Sequence, residues 1–259
     1  MTDTLTLSLI IGAFVGIAAG YLGSLMVLEK MALVGDALSH VALPGVALGY
    51  VYSFNPFLGA FAFLFVATMI IWYVGRVSKL SYETIVGAMF TLSLAIGIII
   101  IPTADLLDAL FGSITDVTMI DTIAAIVICT LAIILIKVVY DKLVLGMISE
   151  ELAISKGVNV ARINLLYLLL VSLIVAVGIK IVGTLLVGFL VVVPAAAAKN
   201  VSQNLFKYAL LSSVFGAISA ISGVLLADIF NASFGPGPLV VISGVVIFVA
   251  SIIVRWKTK

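Results

Sequence analysis

Long apolar segments separated by short polar breaks run along almost the whole chain. Nine such segments lie near residues 5–28, 37–53, 57–75, 84–102, 119–140, 165–179, 182–198, 208–230 and 237–254. A bilayer core needs about 20 apolar residues per helix, so the pattern predicts about nine transmembrane helices. Because the segment 165–179 is short, eight or ten spans remain alternatives.

The composition supports a membrane protein. Of the 259 residues, 64% are hydrophobic and only 10% are charged, whereas an ordinary soluble domain has about a quarter charged residues. We therefore expect an all-α, polytopic helical bundle in the lipid bilayer, with residues 1–259 forming one transmembrane domain. The net charge of +1 gives no indication of nucleic-acid binding.

The basic residues predict the orientation. If the C-terminal tail is inside and nine spans alternate, eleven of the thirteen basic residues fall on the inner side. They are Lys30, Arg76, Lys79, Lys142, Lys156, Arg162, Lys199, Lys207, Arg255, Lys257 and Lys259. The opposite segment 103–118 carries Asp105, Asp108 and Asp116 and no basic residue. The positive-inside rule then places the N-terminus outside and the C-terminus inside.

Small residues recur at the spacing of helix contacts. Gly12, Gly16 and Gly20 form two overlapping GxxxG patterns, and Gly45 and Gly49 form another. Such residues allow close approach of helix backbones in lipid. They predict a compact bundle and carry little information about function.

The most unusual polar residues lie in GDALSHVALPG, residues 35–45. Asp36 precedes His40, the single histidine, by four residues, so both side chains share one face of a helix. A charge in the bilayer centre costs about 2.5–3.5 kcal/mol on insertion scales. A carboxylate and an imidazole suit Mn, Fe or Zn, and Ser39 adds a hydroxyl. The alternatives are that the two side chains bond each other, or that Asp36 only caps a helix.

Prolines predict interruptions near this pair and elsewhere. Pro44 and Gly45 directly follow it and should kink or open the helix. Pro194 predicts a second broken helix, with a tolerated kink as the alternative. We expect Lys180 in an outer turn and Asp228 near the outer end of its span, facing water.

The long inner loop 141–164 contains a short polar segment of helical character. Glu150 begins it, and Glu151, Ala153 and Gly157 form an E-x-A-x-x-x-G pattern. An exposed helix ending at Gly157 is a shape that the groove of a partner protein can bind. An ordinary surface helix between two spans explains the spacing equally well.

Several enzyme motifs are absent from the sequence. It contains no G-x-x-x-x-G-K-[ST] phosphate loop, no H-E-x-x-H and no G-x-S-x-G. We therefore expect that the chain is not an enzyme and does not hydrolyse ATP through such a loop.

Four stretches resemble one protein family in the same order along the chain. They are GDALSHVALPGVALGY (35–50), EELAISKG (150–157), GTLLVGFLVVVPAAAAK (183–199) and SFGPGPLVVISG (233–244). They resemble the permease subunits of bacterial and archaeal ABC importers for manganese, zinc and iron. The G-D-x-x-x-H-x-x-x-P-G stretch is the most specific part of this resemblance, which covers nearly the whole chain.

The resemblance implies a fold similar to vitamin B12 and siderophore importer permeases, assembled as a homodimer in the cytoplasmic membrane. It also implies two ATP-binding subunits on the inner loops and an extracellular or periplasmic metal-binding protein at the outer face. Asp36 and His40 match the family residues that meet the transported ion, and no permanently bound cofactor is implied. The family often has an Asp before the Ser/Gly-Pro element, where this chain offers only Asn231 or Asp228.

Three other functions compete with import of a bare metal ion. They are a permease for a larger chelate such as a siderophore, an ATP-independent cation channel or carrier, and an intramembrane enzyme. The pair of Asp36 and His40 accepts Mn, Fe and Zn alike, so the sequence does not choose between these metals.

Overall fold

The computed structural model describes residues 2–78, 80–101, 106–111, 117–184, 187–230 and 235–257. Within these ranges the chain is all-helical, as predicted, and contains no strand. The helices are α1 (Thr2–Leu28), α2 (Ala32–Val41), α3 (Leu43–Val51), α4 (Pro56–Val77), α5 (Tyr82–Ile100), α6 (Leu106–Phe111), α7 (Met119–Ile148), α8 (Glu150–Ser155), α9 (Val160–Val182), α10 (Val187–Val201), α11 (Leu205–Ile229) and α12 (Gly237–Lys257).

The nine predicted segments correspond to helical segments of this bundle. In the described residues, eight segments are long and apolar enough to cross a bilayer, and α2 and α3 together form one of them, Ala32–Val51. The ninth is α10, which has 15 residues. The short predicted segment 165–179 lies inside α9, whose 23 residues are long enough for a full span.

Polar side chains at the helix starts explain several boundaries. The backbone N–H groups of a first helical turn have no partner within the helix, and a side-chain oxygen before the helix accepts from them. Asn55 caps α4, Ser81 caps α5, Asn159 caps α9 and Asn204 caps α11. Thr118 and Asp121 form a reciprocal capping box at the start of α7.

Glycines set the closest helix contacts, in agreement with the GxxxG patterns. Gly16 lies against Gly216 where α1 crosses α11, and a methyl group on Gly16 would lie 2.6 Å from the Gly216 carbonyl carbon. Gly45 on α3 lies against Gly59 on α4, and a methyl group on Gly45 would lie 2.6 Å from the Gly59 carbonyl carbon. Because real side-chain carbons do not approach this closely, these crossings require glycine.

Buried polar groups join helices that are distant in sequence. The hydroxyls of Thr68 on α4 and Ser172 on α9 lie 2.6 Å apart. The Tyr167 hydroxyl on α9 donates to the Leu22 carbonyl of α1 at 2.8 Å. Such bonds contribute roughly 0.6 kcal/mol on average between membrane helices, so they fix helix register more than they add stability.

The outer surface of the bundle is apolar along the long helices. Ile99 on α5 is 83% exposed and Ile120 on α7 is 79% exposed. A soluble protein does not carry so much contiguous exposed apolar surface. The exposed apolar side chains therefore fit a hydrocarbon environment.

Candidate functional site

Asp36 and His40 lie on α2, one turn apart as their spacing predicts. Ala42 alone separates α2 from α3, and its backbone keeps right-handed helical angles. Pro44 falls in the first turn of α3, a position where its missing N–H costs nothing. The helix predicted to kink or open at Pro44 and Gly45 is thus interrupted only slightly, at Ala42.

The His40 side chain is almost completely buried. Its side chain is only 8% exposed, and the Nδ1 atom has no hydrogen-bond partner. The imidazole packs edge-on against the Phe90 ring of α5, with 5.0 Å between ring centroids and 72° between planes. Nδ1 is therefore free of a hydrogen bond to Asp36.

Asp36 is exposed on the surface of the single chain, in contrast to His40. The nearby Ser39 hydroxyl donates to the Asp36 backbone carbonyl at 2.6 Å, so its proton is engaged within the helix. Gly188 of α10 lies directly against Asp36, and a methyl group there would lie 2.8 Å from Asp36 Oδ1. The two most recognisable stretches of the sequence, 35–50 and 183–199, therefore touch at Asp36.

A cavity of about 230 Å³ separates α2 from α5 beside this contact. Two acidic residues contribute to its wall, Asp36 from α2 and Glu83 from the first turn of α5. The remaining wall consists of Leu33, Val34, Ala37, Val86, Gly87 and Phe90. A cavity with two carboxylates and otherwise apolar walls attracts cations, because the apolar walls strengthen the field of the two charges.

Sequence reasoning missed both Glu83 and Gly188. Glu83 occupies the N-terminal turn of a span, where an acidic residue ordinarily favours the helix dipole. Gly188 is one of 22 glycines. Only the packing of α5 and α10 onto α2 distinguishes them from other residues of their type.

A complete metal site is not formed by one chain in the described ranges. These residues contain no group of three or more His, Cys, Asp and Glu side chains able to hold a metal ion. Asp228 is exposed in the last turn of α11, as expected for a water-facing residue. Asn231, the other candidate in that region, lies outside the described residues.

Pro194 does not break its helix. α10 continues from Val187 to Val201 with Pro194 buried inside it. Because α10 packs tightly through Gly188 and the alanines after Pro194, neighbouring helices hold this backbone in place despite the lost hydrogen bond. The expected second broken helix is therefore absent, and Pro194 is a tolerated residue within α10.

The E-x-A-x-x-x-G segment forms the short helix α8, as predicted. Within α8, Ala153 is fully buried, while Glu150 and Glu151 are exposed. Gly157 ends the segment with a φ of +75°, an angle that glycine adopts without strain.

Two exposed apolar side chains make α8 suitable for binding a partner. Leu152 is 45% exposed and Ile154 is 59% exposed. An exposed helix with apolar and acidic side chains can bind in a groove on the surface of a partner protein.

Lys180 forms an ion pair that the sequence pattern did not predict. Its ammonium bonds the carboxylate of Asp121 on α7, and both side chains are mostly buried. The pair ties the end of α9 to the start of α7 and gives Lys180 a structural role. Of the predicted outer acidic group, Asp105, Asp116 and the side chain of Asp108 lie outside the described residues, as do Lys79 and Lys259 of the predicted inner basic group.

Comparison with known proteins gives one consistent family. Residues 1–255 match the ABC 3 transport family. A manganese transport system membrane protein, MntC of Listeria innocua, is 35% identical over 94% of this chain and 88% of its own length. A high-affinity zinc uptake system membrane protein, ZnuB of Buchnera aphidicola, is 30% identical over 93% of this chain and 94% of its own length.

A solved structure shares the fold. PsaBC from Streptococcus pneumoniae in complex with Fab contains a chain that superposes with a TM-score of 0.83 and is 32% identical. The superposition covers 96% of this chain and 90% of the other. The helical arrangement of this chain is thus similar to that of a solved structure over nearly its whole length.

Proposed function

Since this chain belongs to the ABC 3 transport family, we propose that it is the membrane-spanning permease subunit of an ATP-driven importer of divalent transition metal ions. The observation that carries the proposal is the placement of Asp36 and His40. One helix presents an exposed carboxylate at a 230 Å³ cavity and, one turn away, a buried imidazole nitrogen without a partner. The transported ion is cargo, and no resident cofactor is needed.

The ligand chemistry fits manganese or zinc. Carboxylate oxygen suits Mn, and imidazole nitrogen suits Zn and Fe, so the pair serves all three. The names of the relatives, a manganese transport protein and a zinc uptake protein, support the same range. An ion at Asp36 offsets the cost of keeping that carboxylate charged beside apolar walls.

The incomplete ligand set supports a dimeric permease. Asp36 is exposed in the single chain, and the cavity beside it has room for groups from outside. We place a second copy of this chain against that side, so that the ion passes between two protomers. A separate extracellular or periplasmic metal-binding protein would deliver the ion to the outer face.

Two ATP-binding subunits would supply the energy through α8. The buried Ala153 fixes this helix to the bundle, while Leu152 and Ile154 are exposed for a partner groove. Movement of the ATP-binding subunits would press on α8 and switch the bundle between outward-open and inward-open states. ATP hydrolysis therefore belongs to the partner, and residues 1–259 act as one permease domain.

The orientation follows from the basic residues. With nine spans in the cytoplasmic membrane of a bacterium or archaeon, the N-terminus lies outside and α8 lies inside, where ATP is available. Asp36 and Glu83 both lie near helix starts on the cytoplasmic side in this arrangement. The cavity that they share would then be close to the inner exit.

Uptake by reconstituted vesicles tests the proposal. The permease and its ATP-binding subunits are placed in liposomes, and uptake of Mn²⁺ or Zn²⁺ is measured with and without ATP. Asp36→Ala and His40→Ala should abolish ATP-dependent uptake while the subunits still co-purify, whereas Asp141→Asn, which removes an exposed charge of α7, should not. Uptake at the wild-type rate in both site variants would contradict the site.

The same vesicles separate the rival functions. Uptake without ATP would indicate a channel or carrier. Competition by a ferric siderophore but not by free metal would indicate a permease for larger chelates.

A further inference from the structure

A carboxyl group that the metal site does not use lies in the turn between α1 and α2. Glu29 follows the last residue of α1, and its N–H donates to the Leu25 carbonyl at 2.9 Å. The next residue, Lys30, adopts a φ of +61°, which turns the chain sharply towards α2. Glu29 Oε2 is buried and has no hydrogen-bond partner. An unpaired buried oxygen of this kind is costly for a charged carboxylate.

The surroundings of Glu29 come from α5 and α9. A small cavity of about 10 Å³ lies between Glu29, Met31, Tyr82, Asn164, Tyr167 and Leu168, which is space for about one water molecule at most. The Tyr167 hydroxyl is already bonded to the Leu22 carbonyl. Burial raises the pKa of Glu29 to about 7, so the protonated and ionised forms are both populated at neutral pH.

Tyr82, in the first turn of α5, lines the same small cavity as this carboxyl. The ring of Tyr82 packs on α4, where a methyl group on Gly75 would lie 2.7 Å from Tyr82 Cε1. The carboxyls of Glu29 and of Glu150, the first residue of α8, both interact electrostatically with the Tyr82 side chain. Tyr82 therefore lies between α4 and the turn that leads to α2.

We propose that Glu29 is a positioning residue whose protonated form holds the α1–α2 turn against Tyr82 and thereby sets the position of α2 and Asp36. This inference rests on the proposed transport function. The protonated carboxyl can stay in its buried position, because it is uncharged. The ionised carboxylate is favoured by fuller contact with water, which the half-buried Glu29 gains if the turn moves away from Tyr82 and Tyr167.

The titratable groups around Glu29 favour the protonated form. Tyr82 faces it from α5 and Tyr167 faces it from α9. Tyr208 of α11 interacts with Tyr167 in turn, and Glu150 interacts with Tyr82. These groups are neutral hydroxyls or a further carboxyl. None of them stabilises a negative charge on Glu29 by opposite charge.

The first experiment measures metal uptake per ATP hydrolysed in vesicles at internal pH values of about 6 and about 8. A group with a pKa of about 7 is about nine-tenths protonated at the lower pH and about one-tenth protonated at the higher one. We expect uptake per ATP by the wild type to fall by up to roughly tenfold across this interval, while E29Q, which stays neutral, keeps the low-pH ratio throughout.

The control for this experiment is Asp141→Asn, which should retain the pH dependence of the wild type. A pH dependence in E29Q equal to that of the wild type would overturn the proposal. Loss of coupling in E29Q at every pH would also contradict it, because a neutral side chain should hold the turn.

A second experiment distinguishes failure of this inference from failure of the transport function. The folded chain holds a proton on Glu29 up to about pH 7, whereas the ordinary pKa of the group is 4.5. Stability should therefore fall as pH rises from about 4.5 to 7 and then level off. We expect the Tm of the purified wild-type protein to show this fall and E29Q to lack it.

This result needs no transport. If the wild-type vesicles import no metal at any pH, the proposed function fails, and the Tm profile still decides whether Glu29 is held protonated. Identical Tm profiles for the wild type and E29Q would show that Glu29 does not titrate as proposed.

Discussion

Gly188 of α10 lies directly against Asp36 of α2, so close that a methyl group on Gly188 would be 2.8 Å from Asp36 Oδ1. The contact joins the helix that carries the proposed metal ligands to the buried helix α10. Because Gly188 also lies against the Asp36 backbone, that backbone cannot shift towards α10 without moving α10. The contact therefore gives α10 a direct influence on the position of the ligand.

Gly188→Ala should strongly reduce metal uptake. The added methyl group must push α10 away from Asp36, and overpacking of a tight crossing costs about 1–3 kcal/mol. We expect a lower Tm and loss of most ATP-dependent uptake in vesicles.

The matched control is Gly146→Ala on α7. A methyl group there meets Val160 at an ordinary distance of 3.6 Å, and alanine favours a helix by up to about 1 kcal/mol over glycine. This variant should keep its Tm and uptake. Equal behaviour of the two variants would show that the crossing at Asp36 has no special role.

Glu83→Gln should weaken metal uptake without removing it. The change deletes one of two negative charges that face the cavity, and a charge pair in a water-filled cavity contributes on the order of 1 kcal/mol. We expect a several-fold higher metal concentration for half-maximal uptake and an unchanged Tm. Uptake curves at increasing salt provide the check, because the difference between variant and wild type should shrink as salt screens the charge.

Gly157 variants should separate backbone strain at the end of α8 from side-chain chemistry. At a φ of +75°, a residue with a side chain costs about 1–2 kcal/mol, and asparagine tolerates the angle better than most. Co-purification of the ATP-binding subunit should fall in the order glycine, Gly157→Asn, Gly157→Val. There is open space around the position of the added carbon, so an effect that tracks side-chain volume alone, with asparagine and valine equal, would exclude the backbone explanation.

The ion pair of Lys180 and Asp121 should stabilise the fold and contribute little to transport specificity. Lys180→Met leaves the mostly buried Asp121 carboxylate with only its hydrogen bonds to Thr118, and Asp121→Asn leaves the Lys180 ammonium without a carboxylate and also changes the cap of α7. Because both side chains keep some exposure to solvent, we expect each single change to cost about 1–2 kcal/mol, below the value for a fully buried pair. The double variant should be more stable than the sum of the single effects predicts, as measured by thermal unfolding.

Much of the fold follows from local sequence alone. The alternation of apolar segments and polar breaks predicted the nine helical segments, and the glycines at spacing four correctly indicated close helix crossings such as Gly16 with Gly216. The spacing of Asp36 and His40 placed them on one helix face, and E-x-A-x-x-x-G predicted α8. These features depend on hydropathy and on the helical period. Both are properties of residues that are close together in the sequence.

The tertiary structure decided which distant residues meet. It placed Glu83 and Gly188 beside Asp36, paired Lys180 with Asp121 and enclosed Glu29 between Tyr82 and Tyr167. It also kept α10 continuous through Pro194, where the sequence left both a broken helix and a tolerated kink open. These outcomes depend on how each helix is rotated and on which neighbours cover its backbone, and contacts between residues dozens of positions apart settle both. The sequence by itself therefore determined a helical membrane protein and placed Asp36 and His40 one turn apart on one helix, and only the packing of α2, α5 and α10 decided what surrounds these two residues.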